Sequence, residues 1–357
     1  EGAFEGERRS ALRIRLAYAT QEGKKAFVNG SPLDRLSGLV GRVPVVLLSP
    51  EDHLLTSGGP SERRRFLDQT LSQAYPVYLD DLLKYRRALK QRNALLFQVR
   101  RGAALAPGTM DAWNEELALL GSRIVRRRRR FLDRFAGFLL EAYRLLGAVG
   151  EEPSATYAPS VAASGDARPA PPPEPGSSPE AHAEDPEASG EASEAAPAPG
   201  EGPPPEADMD AFRQALARVA RRERETGRTL VGPHLDEVTL QLGGFDVRPF
   251  ASQGQHRTMG LALRIATSLF LREHLDEPPL LLLDDVFGAL DPERTQAILD
   301  LLTSDAVGQS LLTAARLDPF TDALDFSRPE HAAFSIVQGT VAPLEPAPPG
   351  EALPLSS

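Results

Sequence analysis

Six consecutive residues, Leu280-Leu-Leu-Leu-Asp-Asp285, hold the densest chemistry in this sequence. Four aliphatics in a row predict a buried strand. The two carboxylates that close it then stand at the C-terminal edge, where open α/β sheets bind ligands. There Asp284 is placed to hold a hydrated Mg2+, and Asp285 to polarise an attacking water. Paired acids at a strand end are also ordinary turn formers, so the run alone leaves both readings open. A second run, Phe250-Ala-Ser-Gln-Gly-Gln-His-Arg257, lies upstream as a polar loop and leads into a helical pattern from Thr258. Small residues and glycine at a helix N-terminus leave backbone N–H groups free for phosphate oxygens. Ser252, Gln253, Gly254 and Gln255 are the candidates, and Ser252 adds a hydroxyl donor.

Elements of two kinds must position these residues. Residues 11–18 alternate apolar and polar with the period of a half-buried strand. Residues 24–28 form a second short run, closed by the turn pair Asn29-Gly30. Residues 32–39 predict a short helix, and residues 43–48 a buried strand that stops at Ser49-Pro50-Glu51-Asp52. Glu51 and Asp52 there could reach Mg2+ or its water, or simply cap a turn. From Ser61 the period becomes helical, with breaks at Pro76 and Pro107-Gly108, and continues to Leu146. Residues 209–225 predict an amphipathic helix closed by Gly227. Residues 229–236 and 238–242 read as strand, turn and strand, with Gly243-Gly244 as a hairpin turn. Helices at 260–274 and 293–302 flank the Leu280 strand, and residues 310–313 predict another buried strand.

The net charge is -10, with 25% charged and 41% hydrophobic residues. It is unevenly spread. Residues 151–210 contain 14 acidic side chains and one arginine, so the rest of the chain carries +3. Arginines and lysines cluster at 63–65, at Lys84, Arg86, Arg87, Lys90 and Arg92, and at 126–130. Such a basic face suits a polyanion, or is ordinary solvated helix surface. Between 161 and 205 the chain is Pro, Ala, Glu, Gly and Ser with almost no large apolar residue, which predicts a disordered linker. There is no cysteine, so a disulfide framework and thiolate metal sites are excluded and a reducing, cytoplasmic setting is expected. No apolar run reaches the ~18 residues of a membrane helix. The sequence opens on Glu1 with no signal-peptide pattern, and a segment upstream of it is expected.

Signature-like loop, helix, apolar strand and Asp-Asp follow the order of an ABC-type ATPase. On that resemblance Asp284 corresponds to the Walker B carboxylate. Ala289-Leu290-Asp291 is similar to the D-loop, and Thr313 stands where that class keeps a switch residue. Ser252-Gln-Gly-Gln255, Val231-Gly-Pro-His234 and Leu282-Leu-Asp-Asp285 make the resemblance specific to the RecF family. So do Val45-Val-Leu-Leu-Ser-Pro-Glu-Asp52, Gly59-Pro60, residues 63–68, Tyr85 and Leu89-Lys-Gln-Arg-Asn-Ala-Leu95. Together they span about residues 12–313, outside the acidic linker.

The resemblance implies an α/β fold: an ABC-type ATPase head with a P-loop NTPase-like sheet and an inserted helical lobe. Residues 1–60 would start the head, 61–160 the helical lobe, 161–206 the linker, and 207–228 the returning helix. Residues 229–341 would complete the head, and 342–357 form a flexible tail. It also implies ATP and Mg2+ as cofactors and an ATP-dependent homodimer. Single-stranded and gapped or duplex DNA, RecO and RecR are the implied partners, with no membrane, and recombinase loading at gapped DNA is the implied task. Asp284 would bind metal and Asp285 act catalytically. Ser252, Gln253, Gly254, Gln255, Asp291 and Thr313 would bind cofactor, with Ser252 capping the nucleotide of the other subunit.

Three features depart from the family. The first strand and the P-loop are missing, since no G-x-x-x-x-G-K-[ST] occurs in these 357 residues; ATP binding by this chain alone is expected to be poor. Leu235-Asp236-Glu237 replaces the usual Arg-Asp-Asp, and the acidic linker is an addition. A nucleotide-independent DNA-binding scaffold is the alternative. An SMC-like structural head is disfavoured by the short helical region. A transporter ATPase is disfavoured by Ser-Gln-Gly-Gln in place of Ser-Gly-Gly-Gln.

Overall fold

A computed structural model describes residues 2–4, 11–19, 23–147, 150–162, 203–304, 307–315, 320, 324–326 and 328–344. The expected acidic linker and the end of the expected tail lie largely outside them. The chain opens with strands β1 (Gly2–Phe4), β2 (Leu12–Ala19), β3 (Gly23–Val28) and β4 (Ser31–Pro32). The helix expected at 32–39 shrinks to one 3-10 turn, Leu36–Leu39. Strand β5 (Val45–Leu48) runs into a 3-10 turn, Pro50–His53, and then α1 (Leu54–Ser57).

Three long helices follow: α2 (Pro60–Ala74), α3 (Pro76–Arg100) and α4 (Asp111–Leu145). Pro60 and Pro76 each sit in the first helical turn, where the missing N–H costs nothing. Pro76 therefore ends one helix and starts the next. Helix α4 has 35 residues and spans roughly 50 Å at ~1.5 Å per residue. Strand β6 (Pro153–Ala158) closes this half of the chain. It lies beyond the helical period, which ends at Leu146, yet inside the 61–160 helical lobe that the resemblance implies. Its six residues alternate too briefly to stand out beside helices of 25 and 35 residues.

The second half begins with α5 (Glu206–Thr226), which ends at Gly227 with φ 73°, the left-handed cap that glycine takes without strain. Then come β7 (Glu237–Leu242), β8 (Phe245–Asp246), α6 (Val247–Phe250) and α7 (Gln253–Leu275). Strand β9 (Leu280–Asp284), α8 (Pro292–Leu302), β10 (Ser310–Thr313), β11 (Phe334–Val337) and β12 (Thr340–Pro343) complete it. Residues 229–236 are not a strand. Gly232, with φ 128°, turns the chain into a 3-10 turn at Pro233–Leu235. The hairpin across Gly243-Gly244 is present, and β7 also pairs with β6. Strands β11 and β12 pair at the end of the expected 229–341 head, and only Ala342 and Pro343 of the expected tail take part.

The site is organised by a parallel sheet in the order β10-β9-β5. Its alternation gives two faces. Val46, Leu48, Leu281 and Leu283 are buried, and Ile265, Leu269, Ile298 and Leu301 of α7 and α8 line the same narrow space beside them. On the other face Leu47 is 46% and Leu311 55% exposed. One continuous core joins this sheet to the helices. Phe270 of α7 meets Phe131 of α4 edge-on, 4.9 Å between ring centres. At Gly121 of α4 a Cβ would stand 2.3 Å from the Phe212 ring of α5, so only glycine allows that approach.

Candidate nucleotide site

The carboxylates follow from the sheet register. Pairing of Leu283 with Leu312 puts Asp284 opposite Thr313 at the C-terminal edge. The Thr313 hydroxyl donates to Asp284 Oδ1 at 2.6 Å, and the Asp285 amide donates back to Thr313 Oγ1 at 3.1 Å. Three predicted residues thus meet at one strand edge. Asp284 and Asp285 are exposed. Asp285 has φ 47°, a left-handed conformation that Asp tolerates better than most residues. It ends the strand and turns the second carboxylate out of the ladder.

Ser252 is the N-cap of α7. Its hydroxyl accepts from the Gln255 amide at 3.2 Å, and Gln255 Oε1 accepts from the Ser252 amide at 2.8 Å. This capping box starts the helix at Gln253, five residues earlier than apolar periodicity places it. Gln253, Gly254 and Gln255 are therefore the first helical turn rather than a loop. First-turn amides have no intrahelical acceptor and the helix dipole is positive there, which suits phosphate oxygens. Gln255 Nε2 also donates to Glu151 at 2.8 Å, a contact no local motif signals.

Asp291 caps α8. It accepts from the Arg294 amide at 2.9 Å and pairs with the Arg294 guanidinium. That amide first, then the guanidinium, holds its carboxyl below the usual range. Its hydrogen bonds run to Arg294 and, among the described residues, none joins it to Asp284 or Thr313. Asp52 is a cap and not an open carboxylate. It closes a capping box with Ser49 and pairs with Arg264 at 2.8 Å, while burial pushes its pKa up. Glu51 stays exposed. A cleft of about 480 Å³ runs between residues 49–57, the start of α7 at Gln253, His256 and Arg257, and Val286 and Leu290 beyond β9.

Part of the expected basic face is internal. Arg63 pairs with Glu237, Arg92 with Glu223, Arg127 with Asp81 and Arg128 with Asp68. His234 is structural, as its Gly-Pro setting suggests: its Nδ1 accepts from the Tyr85 hydroxyl at 2.7 Å. Its pKa is pulled down to about 4 by burial. Arg65, Arg86, Arg87, Lys90, Arg129 and Arg130 remain exposed.

Parallel sheet, acid-tipped central strand, threonine on the next strand and a serine-capped helix together define an α/β head of the ABC ATPase type. No family model matches the chain. The DNA replication and repair protein RecF of Salinibacter ruber is 45% identical over 340 residues, covering 95% of this chain and 74% of that protein. The protein of the same name from Chloroherpeton thalassium is 33% identical over 340 residues, covering 95% and 81%. This chain belongs to the RecF family. Among solved structures, the recombination mediator protein RecF-ATPrS in the RecFOR pathway superposes with a TM-score of 0.75 at 25% identity, covering 96% of this chain and 79% of that one. The RecF-ATP structure of the same pathway gives 0.72 at 25% identity, covering 95% and 78%.

Proposed function

We propose that this chain is the ATP-controlled, DNA-binding head of a RecF-type protein of DNA replication and recombinational repair. It works in the cytoplasm and helps to load recombinase at gapped DNA. The observation that carries this reading is the meeting of Asp284, Asp285 and Thr313 at the C-terminal edge of a parallel sheet. In it Asp284 binds metal, Asp285 orients a water and Thr313 senses the terminal phosphate. Ser252, Gln253, Gly254, Gln255 and Asp291 face the nucleotide of a second copy, so ATP joins two copies. One exposed carboxylate fits Mg2+, which takes one or two carboxylates plus waters and phosphate oxygens. Bound Mg2+ would neutralise phosphate charge.

Relatives that act in DNA replication and repair by name, and solved RecF structures with ATP in the RecFOR pathway, support DNA, RecO and RecR as partners. The exposed basic residues of α2, α3 and α4 supply phosphate contacts for single-stranded and gapped or duplex DNA. Among the described residues no helix is long and apolar enough to cross a membrane. We divide the chain into an N-terminal part of the head (1–60), a helical lobe (61–160), a linker (161–206), a returning helix (207–228), the rest of the head (229–341) and a tail (342–357).

The test is DNA binding by residues 1–357 with and without Mg-ATP, beside a form extended upstream by a loop ending in Gly-Lys-Thr. ATP is expected to strengthen binding in the extended form only. If ATP changes nothing in either form while DNA still binds, the nucleotide switch is wrong and a scaffold is left.

A further inference from the structure

The segment after β5 is fastened to α7 at three points. Asp52, only 5% exposed, accepts from Arg264 Nε at 2.8 Å, and its other oxygen accepts from the Ser49 amide at 2.9 Å. The Thr56 hydroxyl donates to the His53 carbonyl at 2.7 Å, which leaves its lone pairs for His256 Nδ1 at 2.9 Å. Gly260 faces the Asp52 carbonyl so closely that a Cβ would stand 2.6 Å from that oxygen. Arg264 also lies 5.8 Å from the ring centre of Phe66 on α2, so its guanidinium is held on two sides.

This fastening lies between two parts of the site. Residues 49–57 continue β5, which pairs along β9 up to Leu283, one residue before Asp284. Ser252 caps the helix that carries Arg264, roughly three turns away. A buried carboxylate without its cation is costly, so the pair resists separation. A shift of the segment after β5 therefore carries α7 with it, and α7 carries the Ser252 end. The cleft between them is bounded by Asp52 on one wall and by Gln253 and His256 on the other.

We propose that Arg264 is a positioning residue: through Asp52 it couples nucleotide held at the Asp284 edge to the orientation of the Ser252 turn offered to a second copy. The coupling rests on the reading of Ser252 given above.

The test uses the full-length protein. Affinity of a single copy for a fluorescent ATP analogue is measured by titration, and Mg-ATP-dependent self-association by sedimentation velocity. Arg264→Gln and Asp52→Asn are each expected to weaken self-association about tenfold, while ATP affinity changes by less than about twofold. The double variant, whose two amides can still hydrogen-bond, is expected to recover to within about threefold of the parent. Leu139→Ala, a buried core change on α4 rather than on either of these two elements, is the control for lowered stability alone. If Arg264→Gln associates no more weakly than Leu139→Ala, or loses ATP affinity in step with self-association, the coupling is overturned. Ser252→Ala separates the two failures. If it leaves self-association unchanged, the underlying reading falls and takes the coupling with it; if it abolishes self-association while Arg264→Gln does not, the coupling alone falls.

Discussion

Two groups of charged side chains in this molecule look alike on paper and differ in their exposure. Around Arg128, 1% exposed, the guanidinium donates to Asp68 at 2.7 Å, to the Pro233 carbonyl at 2.7 Å and to the Tyr78 hydroxyl at 3.0 Å. Asp236 lies 3.5 Å away and accepts from the Ser160 amide and the Tyr157 hydroxyl. Each of the three guanidinium nitrogens is thus satisfied inside the protein. At the end of β9, Asp284 and Asp285 are exposed, and among the described residues Thr313 bridges them. A sealed network fixes architecture, because any missing partner strands a buried charge. An open one is free to exchange water for a ligand. The sealed group pins α2, α3 and α4 to the 3-10 turn at Pro233–Leu235, and the open group stands where the sheet ends.

The largest effect is expected from breaking the seal. Arg128→Met leaves Asp236 buried without its cation and Asp68 with Arg86 alone, whose side chain is 60% exposed, and should cost about 3–5 kcal/mol of folding stability in urea. A cost under about 1 kcal/mol would mean that the network adds nothing to stability. Next in size is the pH response of His234, which faces Tyr85 and the Arg64, Arg92 and Arg128 charges. Free histidine titrates near 6.5, and burial holds His234 down to about 4. Between these values the unfolded chain binds the extra proton, so stability is full above pH 6.5, falls as pH drops toward 4, and levels off below. The loss should be at most about 3 kcal/mol. His234→Gln should lower proton uptake on unfolding by about one over that window, measured from urea midpoints at stepped pH. An unchanged slope would sink the assignment.

The contrast between the two groups also explains what the sequence made readable. The Asp284 edge is a contiguous run: four aliphatics announce the strand, and the acids follow at once. The sealed group joins residues from 68 to 236 through tertiary contacts, and no local window contains it. Its arginines nevertheless left a trace. Leu117, Gly121, Ile124, Arg128, Phe131 and Phe135 fall on one helical stripe, and so do Tyr78, Leu82, Tyr85, Arg92 and Leu96. A charge inside an apolar stripe points to a buried pair, whereas the run of five arginines at 126–130 drew attention to charge alone. Strand β6 escaped because its partner β7 lies on the far side of the linker. Helix α7 starts before its apolar period does, because polar cap residues carry no such period. The Ser252 and Gln255 pair, spaced as a capping box, was the available signal.

At the open edge, changes should touch folding little. Thr313→Val removes the hydroxyl that joins Asp284 to the Asp285 amide. Water can replace it at an exposed strand end, so the cost should stay below about 1 kcal/mol. The smallest effect, and the one that sharpens the contrast most, is expected from Asp284→Asn. Adjacent carboxylates at one strand end repel each other, and among the described residues Asp284 forms no ion pair; its partner is the neutral Thr313 hydroxyl. Neutralising one should leave urea stability unchanged or raise it by up to about 0.5 kcal/mol, while Mg-ATP hydrolysis by the full-length protein falls at least about tenfold. A residue kept for folding would show the opposite pattern, with stability lost and hydrolysis retained. Stability unchanged with hydrolysis lost is what a site optimised for ligand at the expense of its own repulsion predicts.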